Sequence, residues 1–272
     1  MSVSATGAGI DPAVLQTSGS DETVGLLIFF GVGLYLTYNG FQKWKRKRLM
    51  QDTPTEKVRS AAVGRTELRG TSEPIDGVGT LDQPFTDGGC VVATYTIEEW
   101  DDSGDDDHWE TLDSGTLLVP FDVDDGTGQM RVEPQQDATY EISSANTDEI
   151  RVDDGRTPPD EIAEFLRGNR HDDDGLIGGL LDDAPSVRGS DDRRYTQHVI
   201  PPGEDIYLLG GARPRDGGDG DTLVLGRDEA SDEFVIADQT EKALVTEYSW
   251  EAPAQIAGGI ALSAAVLYFL LG

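Results

Sequence analysis

Two uncharged apolar stretches, one near each end, constrain everything else this chain can do. Val24 to Gln42 reads VGLLIFFGVGLYLTYNGFQ, and Pro253 to Leu271 reads PAQIAGGIALSAAVLYFLL, 19 residues each without a formal charge. As helices they extend roughly 28 Å, about the thickness of a bilayer's hydrocarbon core. A signal peptide would begin with basic residues and end at a small-residue cleavage site. Here Asp21 and Glu22 precede the first run and bulky basic residues follow it. Both runs therefore read as transmembrane helices, with Tyr35, Tyr38 and Trp44 where interfacial aromatics belong. Ala257, Gly258, Ala261, Ala264 and Ala265 in the second run predict a face that permits close helix packing.

Lys43, Trp44, Lys45, Arg46, Lys47 and Arg48 follow the first run directly and contain the chain's one dense basic cluster. Basic residues flanking a membrane helix stay on the cytoplasmic side, against anionic headgroups. The expected layout is an extracytoplasmic tail (1–23), a first span (24–42), and a basic juxtamembrane segment with a short helix (43–62). A cytoplasmic domain (63–250) and a second span (253–271) follow. The protein reads as a two-pass protein of the cell membrane with its main domain in the cytoplasm, and membrane lipids are its first expected partner.

The charge balance points to the solvent. There are 52 acidic side chains, 34 of them Asp, against 21 basic ones of which 5 are Lys, for a net charge of −31. Such a balance can signal disorder, a basic partner, or adaptation to molar salt, where screening shrinks to about 3 Å and self-repulsion fades. Apolar strand patterns survive between the acidic runs, so adaptation to salt is the favoured reading. This is the composition of haloarchaeal proteins. It argues against nucleic acid as a partner, since phosphate recognition needs basic patches.

Between the spans the patterns are mostly those of strands. Cys90 to Trp100 alternates, with Val91, Ala93, Tyr95 and Ile97 on one face. Thr116 to Val123 and Met130 to Glu133 flank Asp124-Asp125-Gly126-Thr127-Gly128, a hairpin turn by composition. Further strands are expected at 138–143, 149–153, 193–200, 204–210, 222–226 and 233–237, with Pro201-Pro202-Gly203 turning between two of them. Helix signals are few. Thr53-Pro54-Thr55-Glu56 resembles a capping box that starts a short helix ending near Ala62. Pro159 to Arg167 fits an amphipathic helix with Ile162, Phe165 and Leu166 inward, and Thr240 to Tyr248 predicts a helix feeding the second span. The fold class is a mainly antiparallel β domain, of OB-like barrel type, between two transmembrane helices.

The order of short motifs carries a resemblance. After the first span come DTPTEKVRSAAVGRTELRGTSEP, PFTDGGCVVATYTIEEW, PFDVDDGTGQMRVEP and RRYTQHVIPPGEDIYLLGGARP, then the closing helix. The run from about Asp52 onward resembles the GIDE-type, or "beside a membrane", domain of mitochondrial membrane-anchored ubiquitin ligases and of their prokaryotic relatives without a RING. The resemblance implies that Asp52, Thr53, Pro54, Cys90, Trp100, Asp125, Gly126, Gly128, Pro202, Gly203 and Glu204 are family positions, with mainly structural roles. The ligases add a RING with eight Cys and His ligands for two zinc ions. Here one Cys and three His are present in all, so the resemblance does not bring ligase activity with it.

Other chemistry reads thinly. Asp105-Asp106-Asp107-His108 and His171-Asp172-Asp173-Asp174 could ligate a divalent cation, and Gly217-Gly218-Asp219-Gly220-Asp221 brushes against a calcium-binding repeat. In so acidic a chain such runs arise by composition, and no metal or cofactor is expected. Cys90 could be a nucleophile with His108 or His198 as base, but it opens an alternating strand and reads as packing. Trp100 and Trp109 flank the acidic loop, and core packing is favoured over an aromatic platform. The expected function is a non-catalytic, membrane-anchored interaction or sensing module with a protein partner. The alternatives are a membrane hydrolase or peptidase-like enzyme, and a structural subunit of an oligomeric complex formed through the second span.

Overall fold

The computed structural model describes residues 12–101, 107–168, 192–215 and 222–271, with backbone alone for 12–22 and 271. The chain divides into two compact units: Met1–Gln51 with Lys242–Gly272, and Asp52–Glu241.

The first unit is helical. α1 spans Pro12–Asp52 and a terminal helix, here α3, spans Glu241–Leu271. Both are long and apolar enough to cross a membrane. They pack through small residues: a Cβ on Gly33 would press on Ser263 and the Gly259 carbonyl, and one on Gly40 would lie 2.9 Å from the Ala252 carbonyl. Where two helices have only lipid as an alternative neighbour, this close approach is the main attraction between them. Lys43 adds an ion pair to Glu251 at one end of the contact. The contact with α1 does not use the small residues singled out from the sequence. Gly259 makes the approach, whereas Gly258 has nothing within 4 Å and Ala257, Ala261, Ala264 and Ala265 are exposed.

The second unit is β-rich. Its strands are β1 (Gly64–Pro74), β2 (Leu81–Asp82), β3 (Gly89–Cys90), β4 (Val92–Asp101), β5 (His108–Leu118), β6 (Phe121–Asp124) and β7 (Gln129–Val132). After them come β8 (Thr139–Glu141), β9 (Thr147–Val152), helix α2 (Asp160–Gly168), β10 (Arg193–Ile200), β11 (Asp205–Pro214), β12 (Leu223–Gly226) and β13 (Val235–Ala237). Five strands close into a barrel in the order β1-β6-β7-β12-β11 and back to β1. Every pair is antiparallel except β7 with β12. Counted along the chain, that circuit runs first, second, third, fifth, fourth, which is the strand order of an OB-type barrel. β13 and β8 extend the sheet beyond β11.

Closure depends on β1 serving two partners. Gly64 to Thr71 pair with β11, and Thr71 to Pro74 pair with β6. The strand turns between them at Gly70, where a Cβ would stand 2.5 Å from the Asp124 carbonyl oxygen. Leu68, Phe121, Val123, Leu208, Leu225 and Ile236 fill the interior.

A second, four-stranded sheet in the order β5-β4-β10-β9 is built from segments inserted between the barrel strands. α2 packs Ile162 and Leu166 against it, with Phe85, Ile97 and Tyr195 completing a separate core. The predicted strand 116–123 is two strands: at Val119-Pro120 the chain leaves this sheet for the barrel, and the Val119 amide donates to the Val91 carbonyl (3.1 Å).

The expected helix after Thr53 is absent. Thr55 forms a parallel bridge with Glu67, the Glu56 amide donates to the Glu67 carbonyl (2.8 Å), and only Val58–Ser60 form a 3-10 turn. Glu56 does not reach back to Thr53; its carboxylate accepts the Thr66 hydroxyl (2.9 Å). A ladder to β1 has outcompeted a local capping signature.

Candidate functional site

β1 borders an opening on the barrel. A groove of about 620 Å³ is lined by Arg69 to Thr71 and Glu73, by Asp124 to Gly126 of the β6–β7 turn, by Asp205 to Tyr207 of β11, and by Asp238 to Thr240. Its four aspartates are bound to the fold. Asp238 accepts the Ser143 amide and hydroxyl (2.7 Å each) and the Asn146 amide (2.8 Å). Asp124 accepts the Gly126 amide (2.7 Å) and Asp205 the Thr71 hydroxyl (3.4 Å). Asp125 accepts the Val58 amide (3.1 Å) and both the amide and the hydroxyl of Thr127. Burial pushes Asp125 up, but bonds from Thr127 and Val58 and the charge of Lys57 outweigh it, and the carboxyl lies below its usual range. The arrangement ties a turn to the segment leaving α1.

The positions singled out by the resemblance are distributed accordingly. Asp52 is the last residue of α1, and Thr53 and Pro54 lie in the extended segment after it. Asp125, Gly126 and Gly128 form the β6–β7 turn, where Gly126 takes a φ of 76° that a side chain would disfavour. Pro202, Gly203 and Glu204 turn the chain from β10 to β11. The turn is locked on buried Ser72: the Ser72 hydroxyl donates to the Pro201 carbonyl (2.8 Å), and the Gly203 amide donates to the Ser72 carbonyl (2.7 Å). Ser72 was not legible as a site residue, because a serine in a polar strand gives no local signal. Gln197 was missed for the same reason. It is buried, accepts the Phe85 amide (2.7 Å), and donates to Thr86 (2.6 Å) and Asp148 (3.0 Å), fixing the β2–β3 loop on the second sheet.

Cys90 lies apart from these residues. Its thiol is fully buried, and burial, with Asp82 nearby, pushes it up to about 12. It packs with Ala93 and Val199. His198 is the neighbour of Val199 along β10, so its side chain takes the other face of the sheet, where it meets the Thr147 hydroxyl (2.8 Å). His108 pairs with Asp101 at the far end of β4. The structure therefore brings neither histidine to the cysteine as a base.

Trp100 and Trp109 are directly opposite one another on β4 and β5, with ring centroids 5.3 Å apart. Both are partly exposed and belong to neither core, contrary to the packing role expected of them. The Arg194 guanidinium stacks 4.4 Å from the Trp109 ring while pairing bidentately with Glu98. Among the described residues no group of His, Cys, Asp and Glu could hold a metal ion. The runs 171–174 and 217–221, with Asp105 and Asp106, lie outside the described residues. In the membrane-interface set Lys43 pairs with Glu251, and Arg48 stacks over Trp44 (5.5 Å).

Residues 92–269, about two thirds of the chain, match the model of a family called GIDE and described as E3 ubiquitin ligase. The chain belongs to the GIDE family. No curated protein and no solved structure matches it significantly. The GIDE match runs from β4 through the barrel and the second sheet into the closing helix α3. The family region thus takes in part of an apolar helix along with the β-rich unit from β4 onward, while β1, β2 and β3 precede it. Cys90 and the segment after α1 precede it.

Proposed function

We propose that this GIDE-family chain is a non-catalytic interaction or sensing module anchored at the cytoplasmic face of the cell membrane. The observation that carries the reading is the placement of Asp125 and of the Pro202–Glu204 turn, which hold loops to β1 and to the segment after α1. Ligase activity would require the RING, and one Cys and three His among these 272 residues fall short of its eight ligands. The hydrolase alternative loses its best nucleophile, because a buried thiol that titrates near 12 is not a thiolate at neutral pH.

Lys43 to Arg48 would face anionic headgroups on the cytoplasmic side, which puts the β unit in the cytoplasm. A net charge of −31 suits a cell with molar salt inside, as in haloarchaea. The groove is one surface on which a protein partner could dock. A homo-oligomer through α3 would use its outward face at Gly258 and Ala261.

Affinity capture of the full-length protein from native membranes in molar salt tests this reading. A stoichiometric partner is expected, and it should be lost from a variant without residues 53–241 that keeps both helices. Turnover that depends on one residue of the β unit would contradict the proposal.

A further inference from the structure

Glu67 is the one acidic side chain of β1 that is wholly excluded from solvent, and nothing in the preceding reading uses it. Its carboxylate accepts two hydroxyls, from Thr55 (2.5 Å) and Tyr207 (3.0 Å). Thr55 belongs to the segment that leaves α1, and the backbone of that segment is laddered to Glu67 as well. Two residues further along β1, Arg69 pairs with Glu241 (3.3 Å), the first residue of α3, and lies 5.7 Å from the Tyr207 ring. Within the β unit, Thr55 and Glu241 are therefore both held by β1 within a span of three residues, with Tyr207 touching both fastenings.

We infer that Glu67 is a proton-responsive clasp, holding the segment after α1 more firmly to the barrel in acid and less firmly as pH rises. This deepens the sensing reading by naming a stimulus, though the clasp itself stands whether or not a protein partner exists.

The charged and titratable groups around Glu67 fix the direction. Burial is the largest influence and raises its carboxyl above the ordinary value. The Thr55 and Tyr207 hydroxyls lower it, Glu241 adds to the rise, and Arg69 opposes it. Glu56, from the segment after α1, directs its carboxylate to Thr66 next door. Tyr207 is itself raised by burial and by Glu67, so its hydroxyl remains a donor throughout. With the closed-state value above the open-state one, the stabilisation is complete below the ordinary carboxylate value. It is lost as pH rises through the raised value. The closing equilibrium weakens by about tenfold for each unit of that difference.

The test is hydrogen exchange of the full-length protein in lipid nanodiscs at constant molar salt. Protection of the 53–58 amides is followed from about pH 4 to about pH 8, from the ordinary carboxylate range upward, and is corrected for the intrinsic pH dependence of exchange. In the wild type, protection falls as pH rises. Glu67→Gln accepts one of the two hydroxyls through its carbonyl, offers its NH2 to the oxygen of the other, and cannot ionise, so its protection does not change with pH. Thr55→Ala, which leaves the barrel interior untouched, lowers protection of 53–58 at every pH but not that of the β1–β11 ladder. A wild-type slope in Glu67→Gln, or unchanged 53–58 protection in Thr55→Ala, overturns the inference.

Discussion

Phe85→Ala is expected to destabilise the β unit by about 3–5 kcal/mol, the range for emptying a buried aromatic site. Phe85 lies in the loop between β2 and β3, is 1% exposed, and makes edge contacts with Phe165, Tyr195 and Tyr95 at centroid distances of 5.4, 5.4 and 6.0 Å. It lies between α2 and the second sheet and touches both. The site cannot relax easily, because Gln197 fixes the Phe85 backbone amide from the sheet side. Denaturant unfolding followed by tryptophan fluorescence reports the change, since Trp100 and Trp109 sit in that same sheet. A loss under about 1 kcal/mol would mean that α2 and the loop collapse into the space, and that the second core is not packed as described.

Gly210→Ala is the second large effect. Gly210 is on β11 opposite Thr66 of β1. A Cβ there would be forced onto the Gly226 carbonyl of β12 and would lie 2.9 Å from the Phe234 ring. Backbone cannot yield as a flexible side chain can, so the destabilisation is expected at or above the top of the roughly 1–3 kcal/mol range for overpacking. β11 is where the barrel closes, with β1 on one edge and β12 on the other. Strain there should also reduce hydrogen-exchange protection along β1. Gly64→Ala, with nothing within 4 Å of its Cβ, is the control for backbone strain alone, since its φ is 121°. Equal effects at the two positions would contradict the claim that close approach, rather than glycine's conformational freedom, dictates Gly210.

How far the sequence reveals this fold depends on whether a signal is local. The alternation in Val92 to Trp100, the apolar stripe of α2, and the turns at Gly126 and Gly203 are local, and the structure places strands, helix and turns there. β1 is the counterexample. Its sequence, GRTELRGTSEP, is polar, and its buried set includes Thr66, Glu67 and Ser72. Their burial makes sense only through partners far along the chain: Tyr207 is 140 residues from Glu67, and Pro201 is 129 residues from Ser72. The same applies to the second sheet, whose β4–β10 pairing joins residues about a hundred apart, as in Ile97 with Tyr195. The segment after α1 misled in the opposite sense. A capping box at Thr53 to Glu56 is a sound local signal, yet the ladder of Thr55 and Glu56 on Glu67 prevails. The groove stayed hidden because its walls come from four separate stretches of sequence.

The clasp follows from the same cause. A buried carboxylate in a polar strand shows its significance only when both of its hydroxyl donors are seen, one from the segment after α1 and one from β11. The outward position of Gly258 is a related lesson. One residue of helix rotation separates Gly259, pressed on Gly33, from a neighbour with open space around it.

The most direct test of a module held at the cytoplasmic face is cysteine labelling with a membrane-impermeant maleimide. Cys90 is buried with its thiol pushed up to about 12, so the native protein supplies a silent background. Val78, half-exposed in the β unit, is replaced by cysteine in one variant, and a residue of the 1–23 tail in another. The account predicts that Val78→Cys is labelled only after the membrane is opened, and that the tail cysteine is labelled in intact cells. Labelling of Val78→Cys in intact cells, with the tail protected, would place the β unit outside and contradict it.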